Sequence, residues 1–524
     1  MKDRKKSDIV GHSGPRTSPI PCHTRNAPTI PSHPTIATAR IRVTSQDIFV
    51  HPSQMLPPAP RGNDGWVDPR RRGNGAPWDA ALYAASSFTA LAVLWTSDGP
   101  LDLLWARVAA VGYGLGAVAA WLLARRGMGI RGRTILAAVV FAVVAVVPTI
   151  VLAGARAGSP TAHVKSDVLV VEQAAASLLD GRNPYAAEHD DGPLAAWPGW
   201  AREHFPYLAA TVAAGAARAL AGPAPWTDPR LLYLALALAV AGPSIRWSGA
   251  PAERRLWAIL VLFVLATGAP LVVTSGKEIL VLGLLAASLV ALQRGHPALS
   301  GAAAGIATAM HQLAWLVLPI YAFMPTRTGG RRVAAIAASI AVSAVVPFLV
   351  WDAGAFVEDA VLFPLGFGQP DDTSAFTPGG LLTGVVPGSR SLLIAVTVLA
   401  AGVVIAVAIL RGVRTPSDVA RWTGTLLLVV LVLAPRVRLA YLALPVNLLL
   451  WSQLLRDDRS RQSPRREAGR RWRWPLAAFA HAETALPSSS SGTVARVKSP
   501  GEIERSSSGR TGNETVPSAR PRGE

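Results

Sequence analysis

The sequence predicts an all-α fold: a polytopic transmembrane helix bundle of about 10–12 spans, with two larger extracytoplasmic loops and a disordered tail at each end. Three observations predict it. Of 524 residues, 51% are hydrophobic and 16% charged, where a soluble domain carries roughly a quarter charged residues. Apolar runs of about 17–25 residues, long enough to cross a hydrocarbon core of roughly 30 Å, recur between residues 79 and 454. The runs are continuous rather than alternating, which argues against a porin-type barrel.

Residues 1–76 are rich in Pro, Ser, Thr, Arg and Gly without apolar periodicity. They cannot bury enough surface to offset ordering entropy and read as a disordered, basic cytoplasmic tail. No apolar h-region follows Met1, so this is not a signal peptide, and Met55 is an alternative start. Apolar segments then fall near 79–96, 101–123, 134–155, 206–222, 231–247, 256–274, 278–293, 299–323, 332–350, 391–411, 421–435 and 438–454. Each reads as a helix, since unpaired backbone cannot cross lipid. Residues 77–455 therefore form a multi-span membrane domain, and 456–524, rich in Ser, Arg and Pro, a second disordered basic tail.

The net charge of +19 lies mostly in the tails and in short turns such as Arg125-Arg126 to Arg133 and Arg331-Arg332. That distribution fits the cytoplasmic bias of Lys and Arg in membrane proteins and not a nucleic-acid partner. Cys22, the only cysteine, lies in a tail, which excludes disulfides, thiolate metal sites and cysteine nucleophiles in the membrane domain. Both termini read as cytoplasmic, and the acidic Ser97–Asp102 turn, the 156–205 loop and the 351–390 loop as external. Arg246, Arg254 and Arg255 leave two topologies open. They fall outside if every segment crosses. They stay inside if 206–222 lies flat or re-enters and 299–323 folds into a hairpin tipped by His311. Both counts put the two large loops on one face.

Asp167 opens a stretch with Val168, Val171, Ala175, Leu178 and Leu179 on one helical face, the pattern of an amphipathic helix along the membrane surface. A carboxylate there suits a general base near a lipid headgroup, or simply a favourable charge at a helix start. Asp180-Gly-Arg182-Asn183-Pro-Tyr185 combines turn formers with an aromatic that suits the interface. His189-Asp-Asp191 reads as a solvated acidic loop or a divalent-cation site. His204-Phe-Pro-Tyr207 marks the return to the membrane, where Trp197, Trp200, Phe205 and Tyr207 form an interfacial belt or a platform for sugar or isoprenoid. Lys277-Glu278 and His311-Gln312 interrupt apolar segments, where charge is costly and tends to be functional or paired. Arg436 and Arg438, followed by Tyr441, precede the last span, placed to bind an anionic partner or to snorkel to headgroups. Nucleotide-binding glycine loops, metalloprotease helix motifs and nucleophile elbows are missing.

Ser166-Asp167, the Leu-Leu-Asp-Gly-Arg-Asn-Pro-Tyr run ending at Tyr185, and Phe205-Pro-Tyr207 resemble the first outer loop of C-type membrane glycosyltransferases. The resemblance is nearest to bacterial glycosyltransferase family 87, which uses polyprenyl-phosphate mannose. Gly301–Pro319 resembles a later family segment that usually carries lysine where His311 stands. Pro435–Pro445 resembles the final family motif, a tyrosine flanked by prolines. A second proline after Phe205-Pro is missing here.

The resemblance implies a plasma-membrane enzyme that moves a hexose, mannose by analogy, from a polyprenyl-phosphate donor to a glycan or glycolipid acceptor on the extracytoplasmic face. It implies Asp167 as catalytic base. The substrate-binding candidates are Arg182, Asn183, Tyr185, His204, Tyr207, Lys277, His311, Arg436, Arg438 and Tyr441. No cofactor follows with certainty from it, and a divalent cation is possible. A transporter or flippase of lipid-linked sugars, which should show internal repeats and broken helices meeting at the midplane, and a non-catalytic polytopic protein are the competing readings.

Overall fold

The computed structural model describes residues 76–159, 161–367, 377–386, 388–435 and 439–456. The expectations for the two tails, Met55 and Cys22 lie outside the described residues. Among the described residues the fold is all-α and no strand occurs. In chain order the main helices are α1 (Ala76–Thr96), α2 (Pro100–Arg125), α3 (Ile130–Gly158), α4 (Ser166–Leu179), α5 (Val212–Ala221), α6 (Pro229–Trp247), α7 (Ala252–Thr274) and α8 (Lys277–Gln293). They continue with α9 (Pro297–Met310), α10 (Val317–Ala322), α11 (Gly330–Trp351), α12 (Pro378–Val385), α13 (Ser389–Arg411), α14 (Pro416–Leu433) and α15 (Ala443–Leu454).

Six of these, α2, α3, α7, α11, α13 and α14, are long and apolar enough to cross a membrane. Their outward faces carry large apolar side chains, among them Val111 and Leu115 on α2, Ile150 and Val151 on α3, and Leu392, Leu399 and Leu410 on α13. So much exposed hydrocarbon is stable only against lipid. The opposite case is α8, apolar all round after Lys277-Glu278 and buried on nearly every face, as expected of a helix at the centre of a bundle.

Polar contacts show which helix ends lie together. At one end, here the lower, Arg133 binds Asp79 through Nε at 2.5 Å and Nη2 at 2.9 Å and also pairs with Glu253. Arg294 Nε donates to the Trp247 carbonyl at 2.7 Å, Gly329 packs on Pro297, and Arg254 donates to the Arg456 carbonyl. At the upper end Lys165 pairs with Asp102 at 2.7 Å, Arg156 with Asp228 at 2.9 Å, and His204 with Asp359 at 2.6 Å.

These contacts decide between the two topologies. Residues 206–222 do not cross: α5 stays at the upper end, where Arg218 reaches the Arg156 carbonyl at 3.4 Å. The 299–323 segment is broken at His311, which ends α9 in an extended conformation. The chain then returns downward through a 3-10 turn at Gln312–Leu316 and α10. Glu253, Arg254 and Arg255 consequently share the lower end with Arg125 and Arg133, and both large loops lie at the upper end. Hydropathy alone misses these two features because a re-entrant hairpin and a short capping helix are as apolar as a span.

Arg133 and Asp79 are both nearly fully buried, and removing one partner of such a pair costs about 3–5 kcal/mol. Arg133→Met is therefore expected to lower the thermal midpoint of the detergent-solubilised protein clearly, and adding Asp79→Asn to recover much of the loss. An unchanged midpoint for the single variant would show that this pair does not hold α1 to α3.

Candidate active site

Two breaks in the helical pattern build the site. The first precedes α4, where His163 adopts φ +56° and the chain turns into the first helical turn at Ser166-Asp167. The second lies between α7 and α8. There Ser275 and Gly276 leave the helix, and Lys277 restarts it. Gly276 has φ +80°, and a Cβ there would lie 3.0 Å from the Tyr233 ring and 3.3 Å from Arg230 Cα. Only glycine accepts both that conformation and that proximity.

The expected amphipathic face of α4 is not what the structure shows. Ser166–Val171, Glu172, Ala174 and Ala175 are all buried. Two elements cover the helix: α5 on one side and the 181–207 loop on the other. Gly215 of α5 permits the close approach, since a Cβ there would fall 2.4 Å from the Val171 carbonyl oxygen. Asp167 thus enters a protein interior, with 9% of its surface exposed, and does not lie on a membrane surface.

Tyr207 donates its hydroxyl hydrogen bond to Asp167 Oδ1. The Lys277 ammonium sits 3.8 Å from the centroid of the Tyr207 ring, within electrostatic reach of Asp167 and Tyr441. Lys277 is 2% exposed. Its Nζ lies 3.0 Å from Glu278 Oε1 yet makes no directional hydrogen bond. The neighbouring carboxylate balances its charge without saturating its donors. Glu278 is itself held by the Ser275 hydroxyl, which donates to Oε2 at 2.6 Å. His311 closes the cluster from the hairpin tip, its Nδ1 accepting from the Leu313 amide at 3.2 Å. Its ring meets that of half-buried Tyr441 edge-on, with centroids 5.3 Å apart. An accepting Nδ1 leaves the ring proton on Nε2.

The structure brings together Asp167, Tyr207, Lys277, His311 and Tyr441. Tyr185 reaches this cluster through Tyr207, whose carbonyl accepts from the Tyr185 hydroxyl at 2.9 Å. The Tyr185 ring is buried edge-on against Phe205, Phe348 and Phe356, and Asn183 Oδ1 accepts from the Tyr185 amide at 3.1 Å. Tyr185, Phe205 and Tyr207 are all buried. They are no interfacial belt, because the loop folds back over α4. Arg182 is exposed and paired with Asp180 at 2.9 Å, outside this buried set. Arg436 and Arg438 lie outside the described residues.

His204 stands beside the cluster. Its Nδ1 lies 2.6 Å from Asp359 Oδ1, and Asp359 Oδ2 accepts from the Phe205 amide at 2.7 Å. Gln312 Nε2 donates to the carbonyls of Pro206 and Ala360 at 3.0 and 3.1 Å, joining the two large loops. Asp359 was legible in sequence only as one acid of an external loop, and Glu278 only as the neighbour of Lys277. The buried charges Arg156, Glu172, Arg218, Asp228 and Arg230 escaped sequence reasoning. The usable signal was Asp228-Pro-Arg230, an N-cap followed by proline at the first helical position.

Of the His189-Asp-Asp191 group, Asp190 pairs with Arg202 at 2.8 Å. Among the described residues no group of three or more His, Asp or Glu side chains is arranged to hold a metal ion. A cavity of about 360 Å³ opens at the lower end among Arg254, Trp257, Leu450, Trp451 and Arg456. It shares no residue with the cluster and lies at the opposite end of the bundle.

The family model described as glycosyltransferase family 87 matches residues 193–435. The match covers just under half of the chain and supports its assignment to this family. Together with six helices long and apolar enough to cross a membrane, the match supports a multi-pass membrane glycosyltransferase. The matched residues take in His204, Tyr207, Lys277, Glu278, His311 and Asp359, and begin after Asp167 and Tyr185. Comparison with curated proteins and with solved structures finds no match.

The hydrogen bond that His204 donates to the Asp359 carboxylate raises its pKa above the usual imidazole value, against the opposing effect of burial. A raised folded-state pKa adds stability that is complete below the unfolded value of about 6.5 and is lost as pH climbs through the folded value. The thermal midpoint of the wild type should therefore exceed that of His204→Gln most at acid pH, with the gap narrowing above neutrality. A gap that does not change with pH would rule out a charged His204–Asp359 pair.

Proposed function

We propose that this glycosyltransferase moves a hexose, mannose by the family resemblance, from a polyprenyl-phosphate donor to a glycan or glycolipid acceptor. The reaction takes place at the extracytoplasmic face of the plasma membrane, with both termini cytoplasmic. The observation that carries the reading is the meeting of a buried carboxylate and a buried ammonium across one tyrosine: Asp167, Tyr207 and Lys277. A membrane protein keeps such charges where chemistry or transport uses them. Their collection at the loop end of the bundle favours transfer over carriage through it, because a carrier holds its site near the midplane.

In this mechanism Asp167 accepts the proton of an acceptor hydroxyl as that oxygen bonds to the anomeric carbon. The bond from the anomeric carbon to the phosphate oxygen breaks, and its electron pair leaves with the polyprenyl phosphate. Negative charge grows on that phosphate, and Lys277, with unsatisfied donors and across Tyr207 from Asp167, counters it. Tyr207 fixes the rotation of the carboxylate through its hydroxyl. Tyr185 fixes Tyr207 through the backbone. His311 and Tyr441, packed ring edge to face, are assigned to substrate, as is His204. Arg436 and Arg438 remain candidates for further phosphate contacts. Attack opposite a β-linked phosphate yields an α product.

Asp167→Asn is expected to lower transfer from radiolabelled polyprenyl-phosphate mannose in membranes by about 10²–10⁴-fold, the usual contribution of a general base. Lys277→Met should lower it by about 10²–10³-fold, as for loss of one group that stabilises developing charge. Full transfer by the Asn variant, at equal protein level, would remove Asp167 as the base.

A further inference from the structure

Behind the Asp167–Tyr207–Lys277 contact lies a second group of charges with no exposure to solvent at its centre. Arg156, Asp228 and Arg230 are each 0% exposed. Arg156 at the upper end of α3 forks onto Glu172 of α4, with Nη1 and Nη2 at 3.0 and 2.9 Å from the two carboxylate oxygens, and gives Nη1 to Asp228 as well. Asp228 caps α6 by accepting from the Arg230 amide at 3.0 Å. Burial alone would raise the Asp228 carboxyl, but Arg230 and Arg156 override it and hold its pKa at about 2.

The connections of Arg230 go beyond charge balance. Its Nε and Nη2 form a fork on Asp228 at 3.0 and 2.8 Å. The remaining Nη1 donates to two backbone carbonyls, His163 at 3.2 Å and Val273 at 3.1 Å. His163 belongs to the turn that delivers Asp167. Val273 belongs to the last turn of α7, just ahead of the Ser275-Gly276 break that delivers Lys277. One guanidinium therefore bridges both backbone segments that lead into the site, while its own position is fixed by a bidentate carboxylate. Gly276 packs directly on its Cα.

We propose that Arg230 is a positioning residue that sets the separation between the Asp167 carboxylate and the Lys277 ammonium. This rests on the assignment of those two groups as base and phosphate counter-ion. A lysine cannot replace it, because a single ammonium cannot keep a planar fork on Asp228 and still reach two carbonyls. The test uses the full-length protein in membranes, with sugar transfer from radiolabelled polyprenyl-phosphate mannose measured against donor concentration and pH. Wild type is compared with Asp167→Asn, Arg230→Lys and Asp228→Glu. The last variant retains every charge and displaces the guanidinium by one methylene.

Arg230→Lys is expected to lower kcat about 100-fold, the cost of a misplacement near 1 Å, and to raise the KM for donor. The acid limb of its kcat/KM profile should move to higher pH, because a more distant ammonium favours the charged form of Asp167 less. Asp228→Glu should move the same limb in the same direction, and decides the matter alone if Arg230→Lys does not accumulate. An unmoved limb and KM in both variants, with inactive Asp167→Asn, overturn the positioning role while sparing the base. Full transfer by Asp167→Asn overturns the assignment on which it rests.

Discussion

The stacking of the Lys277 ammonium on the Tyr207 ring, with the same tyrosine bonded to Asp167, is the contact around which the upper end of this bundle is organised. Each group alone would be costly to bury. Together the cation, the ring face and the carboxylate form a polar column inside an apolar protein, with Glu278 as a second carboxylate beside the one ammonium. Much nearby structure follows from the need to hold that column. α7 breaks so that Lys277 can begin a helix, α4 is covered on two sides, and the 181–207 loop folds inward to present Tyr207 rather than lying on the surface.

The two ends of the bundle solve different electrostatic problems. At the lower end Arg133 is shared by Asp79 and Glu253, and its partners use the fork of the guanidinium without leaving a charge short of donors or acceptors. At the upper end the Lys277 charge is balanced but its donors are not used up. Buried polar groups are normally satisfied, so the two ion clusters differ in how fully their donors are used.

The helices were largely legible in sequence because length and hydropathy follow from bilayer thickness: α2, α3, α11 and α13 lie where continuous apolar runs place them. The hairpin at His311 and the non-crossing α5 were legible only as an alternative, through the distribution of Arg246, Arg254 and Arg255. Local composition is the same for a span and for a segment covered by protein. At the site, Asp167, Tyr207, Lys277 and His311 could be named because each stands out against apolar neighbours. Their partners could not. Asp228-Pro-Arg230 left a local capping signal, but its contact with Arg156, 72 residues away, leaves no trace in a single sequence. The burial of Tyr185 was missed for a related reason, since a loop aromatic looks alike whether it faces headgroups or a fold of its own backbone.

The single carboxamide of Gln312 holds the Pro206 and Ala360 carbonyls together. Residue 206 adjoins Tyr207, and residue 360 adjoins Asp359, the partner of His204. The tip of the hairpin thus ties the approach to Tyr207 to the segment that carries Asp359. Moving either segment away from the other at this point breaks a Gln312 hydrogen bond, so one side chain fixes the spacing of the two carbonyls.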